Sequence, residues 1–113
     1  MTDNIKLPHD HGQAIDKDAI PDSARFTDTA EIFKVLGDEK RLKIFWILCL
    51  YEECVVNISA LMGMTSPAVS HHLRQLKAAG LITSHRSGKE VYYQAAETPR
   101  VQLLKGVTEQ ILF

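Results

Sequence analysis

The sequence predicts a mainly α domain with a small β-hairpin, organised around a helix–turn–helix. Three observations carry that prediction. Apolar residues recur at helical spacing in five segments between Thr27 and Phe113. Two short segments, LITSHR and EVYYQ, flank a Gly-containing turn, and Val91, Tyr92 and Tyr93 favour strands. The 36 residues from Cys54 to Lys89 contain no Asp or Glu, although the chain has 14 of them.

Residues 1–25 are polar, lack a sustained period and are punctuated by Pro8 and Pro21. They read as a flexible N-terminal arm with a short helix near its end. From Thr27 the pattern turns helical: Ile32, Phe33 and Leu36 share a face, and Asp28 and Glu31 are expected in the first turn, where the helix dipole favours anions. Gly37 stops this helix and Asp38 is a natural N-cap for the next, DEKRLKIFWILCLYEE. That second helix spaces Leu42, Phe45, Leu48 and Cys49 for a core. It is apolar nearly all round towards its end, so it should be the central helix.

A loop at Glu52–Cys54 leads into a third helix, VNISALMGM, with Ile58, Leu61 and Met62 expected inside and Gly63 at its end. In TSPAVSHHLRQLKAAG, Ser66 suits the N-cap, Pro67 the first turn and Gly80 the stop. The hairpin follows, and Pro99 opens a last helix whose Leu103, Leu104, Val107 and Ile111 form a wide apolar stripe.

With 113 residues, 45% hydrophobic and 24% charged, the composition is that of one ordinary globular domain. The longest apolar run, Ile44 to Leu50, is far short of the ~20 residues a membrane helix needs. The start, MTDNIKLPHDHG, has no apolar secretory core. Cys49 and Cys54 are too few to staple a secreted fold and suit free thiols in a reducing cytoplasm.

The net charge of −1, from 13 basic and 14 acidic residues, argues at face value against a nucleic-acid partner. Its distribution argues the opposite. The acid-free block carries Arg74, Lys77, Arg86 and Lys89, hence +4, together with His71, His72 and His85. The remainder, with 9 basic and 14 acidic residues, carries −5. A merely solvated basic face would account for the block; so would an anion-binding surface, and the block coincides with the helix–turn–helix and hairpin.

At ~100° per residue, Val69, His72, Leu73, Leu76 and Gly80 fall on one side of the fourth helix. Pro67, Ser70, His71, Arg74, Gln75 and Ala78 fall on the other. His72 reads as a satisfied core histidine, His71 as a base or phosphate contact. An amphipathic helix whose polar face only meets water is the plain alternative. The DNA-facing reading draws on Ser66, Ser70, His71, Arg74, Gln75 and Lys77: Arg can grip guanine with two bonds, and Gln can grip adenine. Arg86 and Lys89, flanking Gly88 at the hairpin tip, are placed for phosphates, which position a protein without reading sequence.

Three stretches, VLGDEKRLKIFWIL (35–48), EECVVNISALMGMTSPAVSHHLRQLKAAGLI (52–82) and RSGKEVYYQ (86–94), resemble the ArsR/SmtB family of bacterial winged-helix repressors. The resemblance covers about Thr27 to Phe113. It implies a winged-helix DNA-binding and dimerisation domain over residues 26–113. It further implies a homodimer whose first and last helices pair through Ile32, Phe33, Leu103, Leu104, Val107 and Ile111, and two helix–turn–helix units that bind double-stranded operator DNA until an inducer releases them.

Many members of that family sense metals. One type of site uses a CVC-Asp pattern at the start of the third helix; here the stretch is Cys54-Val55-Val56-Asn57, which keeps one ligand. A second uses the two ends of the last helix; the corresponding residues look like Glu97, Pro99, Gln110 and Phe113, of which only Glu97 could coordinate. A third brings N-terminal ligands to the third-helix cysteine, and here His9, Asp10 and His11 could join Cys54 around zinc, cobalt or nickel. Otherwise the His-Asp-His is a solvated stretch of arm and Cys54 a small buried hydrophobe. Oxidative pairing of Cys49 with Cys54 is a further possible trigger, although related persulfide sensors place their cysteines on distant helices.

An enzyme is not expected: the sequence has no Gly-rich phosphate loop, no nucleophile context and no paired carboxylates in the folded segment. A winged-helix protein-interaction module without a DNA role is the remaining alternative. Such a module would tolerate acids on the fourth helix and hairpin tip, where this sequence has none.

Overall fold

The apolar run that the sequence places at the centre of the fold is where the core forms. The computed structural model describes residues 4, 5 and 7–113; Asp3 and Lys6 of the arm lie outside the described residues. The elements, in chain order, are β1 (Asn4–Ile5), β2 (Ile15–Asp16), a 3-10 turn (Lys17–Ala19), α1 (Ser23–Leu36), α2 (Glu39–Leu50), β3 (Glu53–Cys54), α3 (Val55–Met62), α4 (Ser66–Ala78), β4 (Ile82–Ser87), β5 (Glu90–Ala95) and α5 (Pro99–Leu112). They divide into two units, Met1–Ala30 and Glu31–Phe113.

In the first unit, β1 pairs antiparallel with β2, Asn4 opposite Asp16 and Ile5 opposite Ile15. The Asp16 carboxylate accepts from the Asp18 N–H at 2.9 Å and starts the 3-10 turn. Helix α1 begins at Ser23, four residues before the periodicity suggests. The reason is local: the Asp22 carboxylate accepts from the Arg25 N–H at 3.2 Å and caps the new turn. Thr27 and Thr29 are then absorbed by bonding back to the carbonyls of Ser23 and Arg25. The first turn of α1 therefore contains no acid, and Asp28 and Glu31 sit further along.

In the second unit, α2 buries Ile44, Phe45 and Leu48. They meet Val69, Leu73 and Leu76 of α4, Ile58 of α3, Leu81 and Ile82 at the start of the hairpin, and Val101 of α5 in one core. Asp38 caps α2 as expected, its carboxylate accepting from the Arg41 N–H at 3.0 Å. The hairpin belongs to a three-stranded antiparallel sheet of order β3-β5-β4. The extra strand occupies the segment expected as a loop: Glu53 and Cys54 pair with Tyr93 and Tyr92. Two residues are too few to show a period, so this strand has no sequence signature.

Two glycines shape the helix–turn–helix. Gly63 (φ +63°) ends α3 and Gly80 (φ +74°) follows α4, both in the left-handed region. At the first, the Met64 N–H reaches the Ser59 carbonyl at 3.1 Å; at the second, the Leu81 N–H reaches the Leu76 carbonyl at 3.0 Å. Each bond closes a Schellman-type cap and redirects the chain within one residue. Leu61 is exposed (56%), against expectation. The inward arc of α3 runs through Val55, Ile58, Ser59 and Met62, and Leu61 lies ~110° from its centre at ~100° per residue.

Replacing Asp38 with Ala should lower stability by about 1 kcal/mol at pH 7, read by urea denaturation. The Arg41 backbone N–H, and then the Arg41 charge, hold the Asp38 carboxyl below its ordinary 3.8. A depressed folded-state pKa stabilises fully above that value and is lost as pH falls through the folded one. The gap between wild type and Asp38→Ala should therefore narrow below pH 3.8; a gap constant down to strong acid would rule out the charged cap.

Candidate nucleic-acid interface

Helix α4 is presented by what it buries. With Val69, Leu73 and Leu76 inside, Ser66, His71, Arg74 and Lys77 face water, while Ser70 and Gln75 are half-buried. The N-cap is Thr65 rather than Ser66: the Thr65 hydroxyl accepts from the Ala68 N–H at 3.3 Å. Ser66 becomes the first helical residue, its Oγ 3.3 Å from that of Ser59 on α3, and so ties the two helices at the turn. Thr and Ser side by side are equivalent caps by type; the backbone turn after Gly63 decides between them.

Not every polar group on the outer face is free. Lys77 donates through Nζ to Ser84 Oγ at 2.6 Å and fastens α4 to β4. The Gln75 Oε1 accepts from Arg41 Nη1 at 2.9 Å, which turns this amide oxygen towards α2. Arg74 is exposed, as is His71, whose ring lies 5.9 Å from that of His72. His72 is half-buried on the inner side, but it is not the satisfied core histidine expected: its Nδ1 is buried with no hydrogen-bond partner.

The hairpin turns through Gly88 and Lys89, between the paired Ser87 and Glu90. Arg86 and Lys89 are exposed there. Midway along the hairpin, His85 stacks on Tyr92 (5.8 Å, 21°) and its Nε2 lies 3.1 Å from Glu52 Oε1. Among the described residues, no Lys or Arg has a carboxylate oxygen within 4.0 Å, so Arg74, Arg86 and Lys89 have none. Three cations therefore stand uncompensated on α4 and the hairpin tip.

On α1 and α5 the expected interface residues leave an apolar face in water. Phe33, Leu103 and Ile111 are 63, 70 and 79% exposed; Val107 is also exposed, while Ile32 and Leu104 lean against the core. Phe33, Leu36, Leu42, Leu104, Val107, Thr108, Ile111 and Leu112 line a groove of about 220 Å³.

Cys54 is buried at the N-cap of α3 without a side-chain capping bond. Val56 is exposed, and the Asn57 amide donates to Glu53 Oε2 at 2.8 Å. His9 and His11 stand edge to face at 6.2 Å. Among the described residues, no group of three or more His, Cys, Asp or Glu side chains is placed to hold a metal ion. No described helix is long and apolar enough to cross a membrane.

Residues 38–84 match the family described as bacterial regulatory protein, arsR family. Over 82 residues the chain is 35% identical to a transcriptional repressor SmtB homolog of Synechocystis, covering 73% of this chain and 62% of that protein. The chain thus spans less than two thirds of that relative's length. An uncharacterized HTH-type transcriptional regulator of Methanocaldococcus jannaschii is 33% identical over 86 residues, 75% of this chain and 97% of its own. Among solved structures, the homodimeric winged helix-turn-helix DNA-binding domain of a possible ArsR-family transcriptional regulator from Mycobacterium bovis matches at TM-score 0.72 and 29% identity. That match covers 80% of this chain and 82% of that one. The helices and three-stranded sheet are thus a winged helix-turn-helix fold, with β4 and β5 as the wing.

The two free thiols differ in setting. Burial pushes the Cys49 thiol up to about 11, against a smaller opposing pull from Lys105. Since the thiolate is the reactive form, Cys49 should alkylate at pH 8 at least 100-fold more slowly in the native protein than after unfolding. Mass spectrometry of iodoacetamide-treated protein checks this; equal rates would contradict the buried setting.

Proposed function

This chain belongs to the arsR family of bacterial regulatory proteins, and we propose that it acts as a homodimeric transcriptional repressor in the cytoplasm, released from operator DNA by an inducer. The observation that carries this reading is the acid-free run of α4, β4 and the hairpin turn, on which Arg74, Arg86 and Lys89 are exposed with no ion-pair partner; the first acid after it is Glu90, which opens β5. A groove-reading helix needs that arrangement. Each basic group that meets a phosphate releases counterions, whereas an acid at the same place would repel the backbone.

The roles divide by position. Arg74, midway along α4, suits a base edge, with Ser66, Ser70, His71 and Gln75 beside it. Arg86 and Lys89 suit phosphates flanking the groove. Lys77, bound to Ser84, holds the wing against α4 and sets the spacing between the two contacts.

The dimer reading rests on the apolar face of α1 and α5. Ile111, exposed and lining one groove with Phe33 and Val107, is not a scattered surface residue, and Leu103 on the same helix is exposed as well. A second copy of the same face would cover them by two-fold symmetry, and two-fold proteins pair with DNA half-sites about one helical turn apart.

Fluorescence anisotropy with the DNA upstream of the chain's own gene, at several salt concentrations, tests the proposal. Nanomolar binding with a steep salt slope is expected. Weak binding that is equal for every sequence would leave a protein-interaction module as the better reading. Arg74→Ala should weaken specific binding by about 1–3 kcal/mol and relax one base preference. Lys89→Ala should weaken all sequences alike and lower the salt slope by about 1. Ile111→Glu should yield a monomer by sedimentation; an unchanged dimer would place the interface elsewhere.

A further inference from the structure

Arg41 joins three parts of the fold through one guanidinium. Its Nε donates to the Val35 carbonyl at 2.7 Å and its Nη2 lies 3.5 Å from the Lys34 carbonyl, both in the last turn of α1. Its Nη1 donates to Gln75 Oε1 at 2.9 Å, across 34 residues of sequence. The fork is thus fixed at one end by backbone, which cannot turn away, and at the other holds a side chain of the helix that faces DNA.

That contact settles which way the Gln75 amide points. A guanidinium has donors and no acceptor, so only the amide oxygen can face it. The Gln75 Nε2 is then turned the other way. It has no hydrogen-bond partner among the described residues, and it is not among the buried unsatisfied atoms. A free glutamine reads adenine with both ends, accepting from N6 and donating to N7. Here one charged donor draws the oxygen towards α2, and although its second lone pair is free, the end of the amide turned away from Arg41 is the NH2 with its pair of donors. Donors match an edge of acceptors, and in the major groove guanine presents two, N7 and O6.

We infer that Arg41 is a positioning residue that sets the base preference of Gln75, holding it as a donor-presenting reader that favours guanine over adenine. The inference rests on the proposed DNA-reading role of α4. It also revises the adenine contact that the residue type alone suggests.

The test is binding of wild-type dimer to a set of operator duplexes, each with one base pair replaced. Wild type should prefer guanine to adenine at one position per half-site, by roughly 5–150-fold. Gln75→Ala should abolish the preference at that position only. Arg41→Lys keeps the charge but loses the fork. It should shift the same position towards adenine with the salt slope unchanged, and should alter no preference in the Gln75→Ala background. Gln75→Glu keeps an acceptor for Arg41 while removing the donors, and should lose the guanine preference even if Arg41→Lys does not fold. Wild type preferring adenine there, or Arg41→Lys weakening all duplexes equally, would overturn the inference alone. Absence of any base preference in wild type would overturn it together with the repressor reading.

Discussion

Burial of one stripe, Val69, Leu73 and Leu76, governs the rest of the second unit. Each of these side chains gains about 1.5–3 kcal/mol on leaving water, so rotating α4 by a third of a turn would forfeit more than any single polar contact could restore. The stripe thus decides which residues of α4 face water before any charge is considered. Polar ties act at a finer scale. The Lys77–Ser84 and Arg41–Gln75 bonds, at about 1.5–3 kcal/mol for a charged donor, fix the angle of the wing and the orientation of one amide. Core burial sets the face, and hydrogen bonds set its details.

The net charge of −1 hides a division of labour. Averaged over the chain it describes nothing, because charges further apart than ~8–10 Å are screened at physiological salt. Locally, Arg74, Arg86 and Lys89 have no ion-pair partner among the described residues, whereas the His85 ring meets the Glu52 carboxylate. The acids elsewhere oppose loose contact of the other surfaces with phosphate, which orients an approaching duplex towards the basic face. Segregation of charge, rather than its sum, is the property that bears on function.

Much of this was legible in the sequence because local chemistry and global fold agree. Asp38, Gly63 and Gly80 are residues whose types admit few other uses, and each does what its type predicts. The departures share a cause: they depend on geometry that periodicity does not contain. The start of α1 turns on Asp22, a cap hidden behind threonines that bond back into the helix. The choice between Thr65 and Ser66 turns on the path of the chain after Gly63. The third strand is two residues long. At the site, the outward placement of Arg74 follows from helical arithmetic and that of Arg86 and Lys89 from their position beside Gly88 in the hairpin, but the engagement of Gln75 does not, since its partner lies 34 residues away.

The placement of Arg41 bears on how such a fold could be controlled. The helices α1 and α5, which carry the exposed apolar face, and α4 meet in one apolar core. Apolar packing is non-directional and tolerates small sliding. A guanidinium held by the backbone at the end of α1 and by a side chain on α4 is directional, and its bonds weaken steeply once bent or lengthened. A hundredfold fall in DNA affinity corresponds to about 2.7 kcal/mol. The loss of one charged hydrogen bond is of that size. A displacement of α1 small enough to leave the core intact is therefore large enough, on energetic grounds, to be felt at the groove.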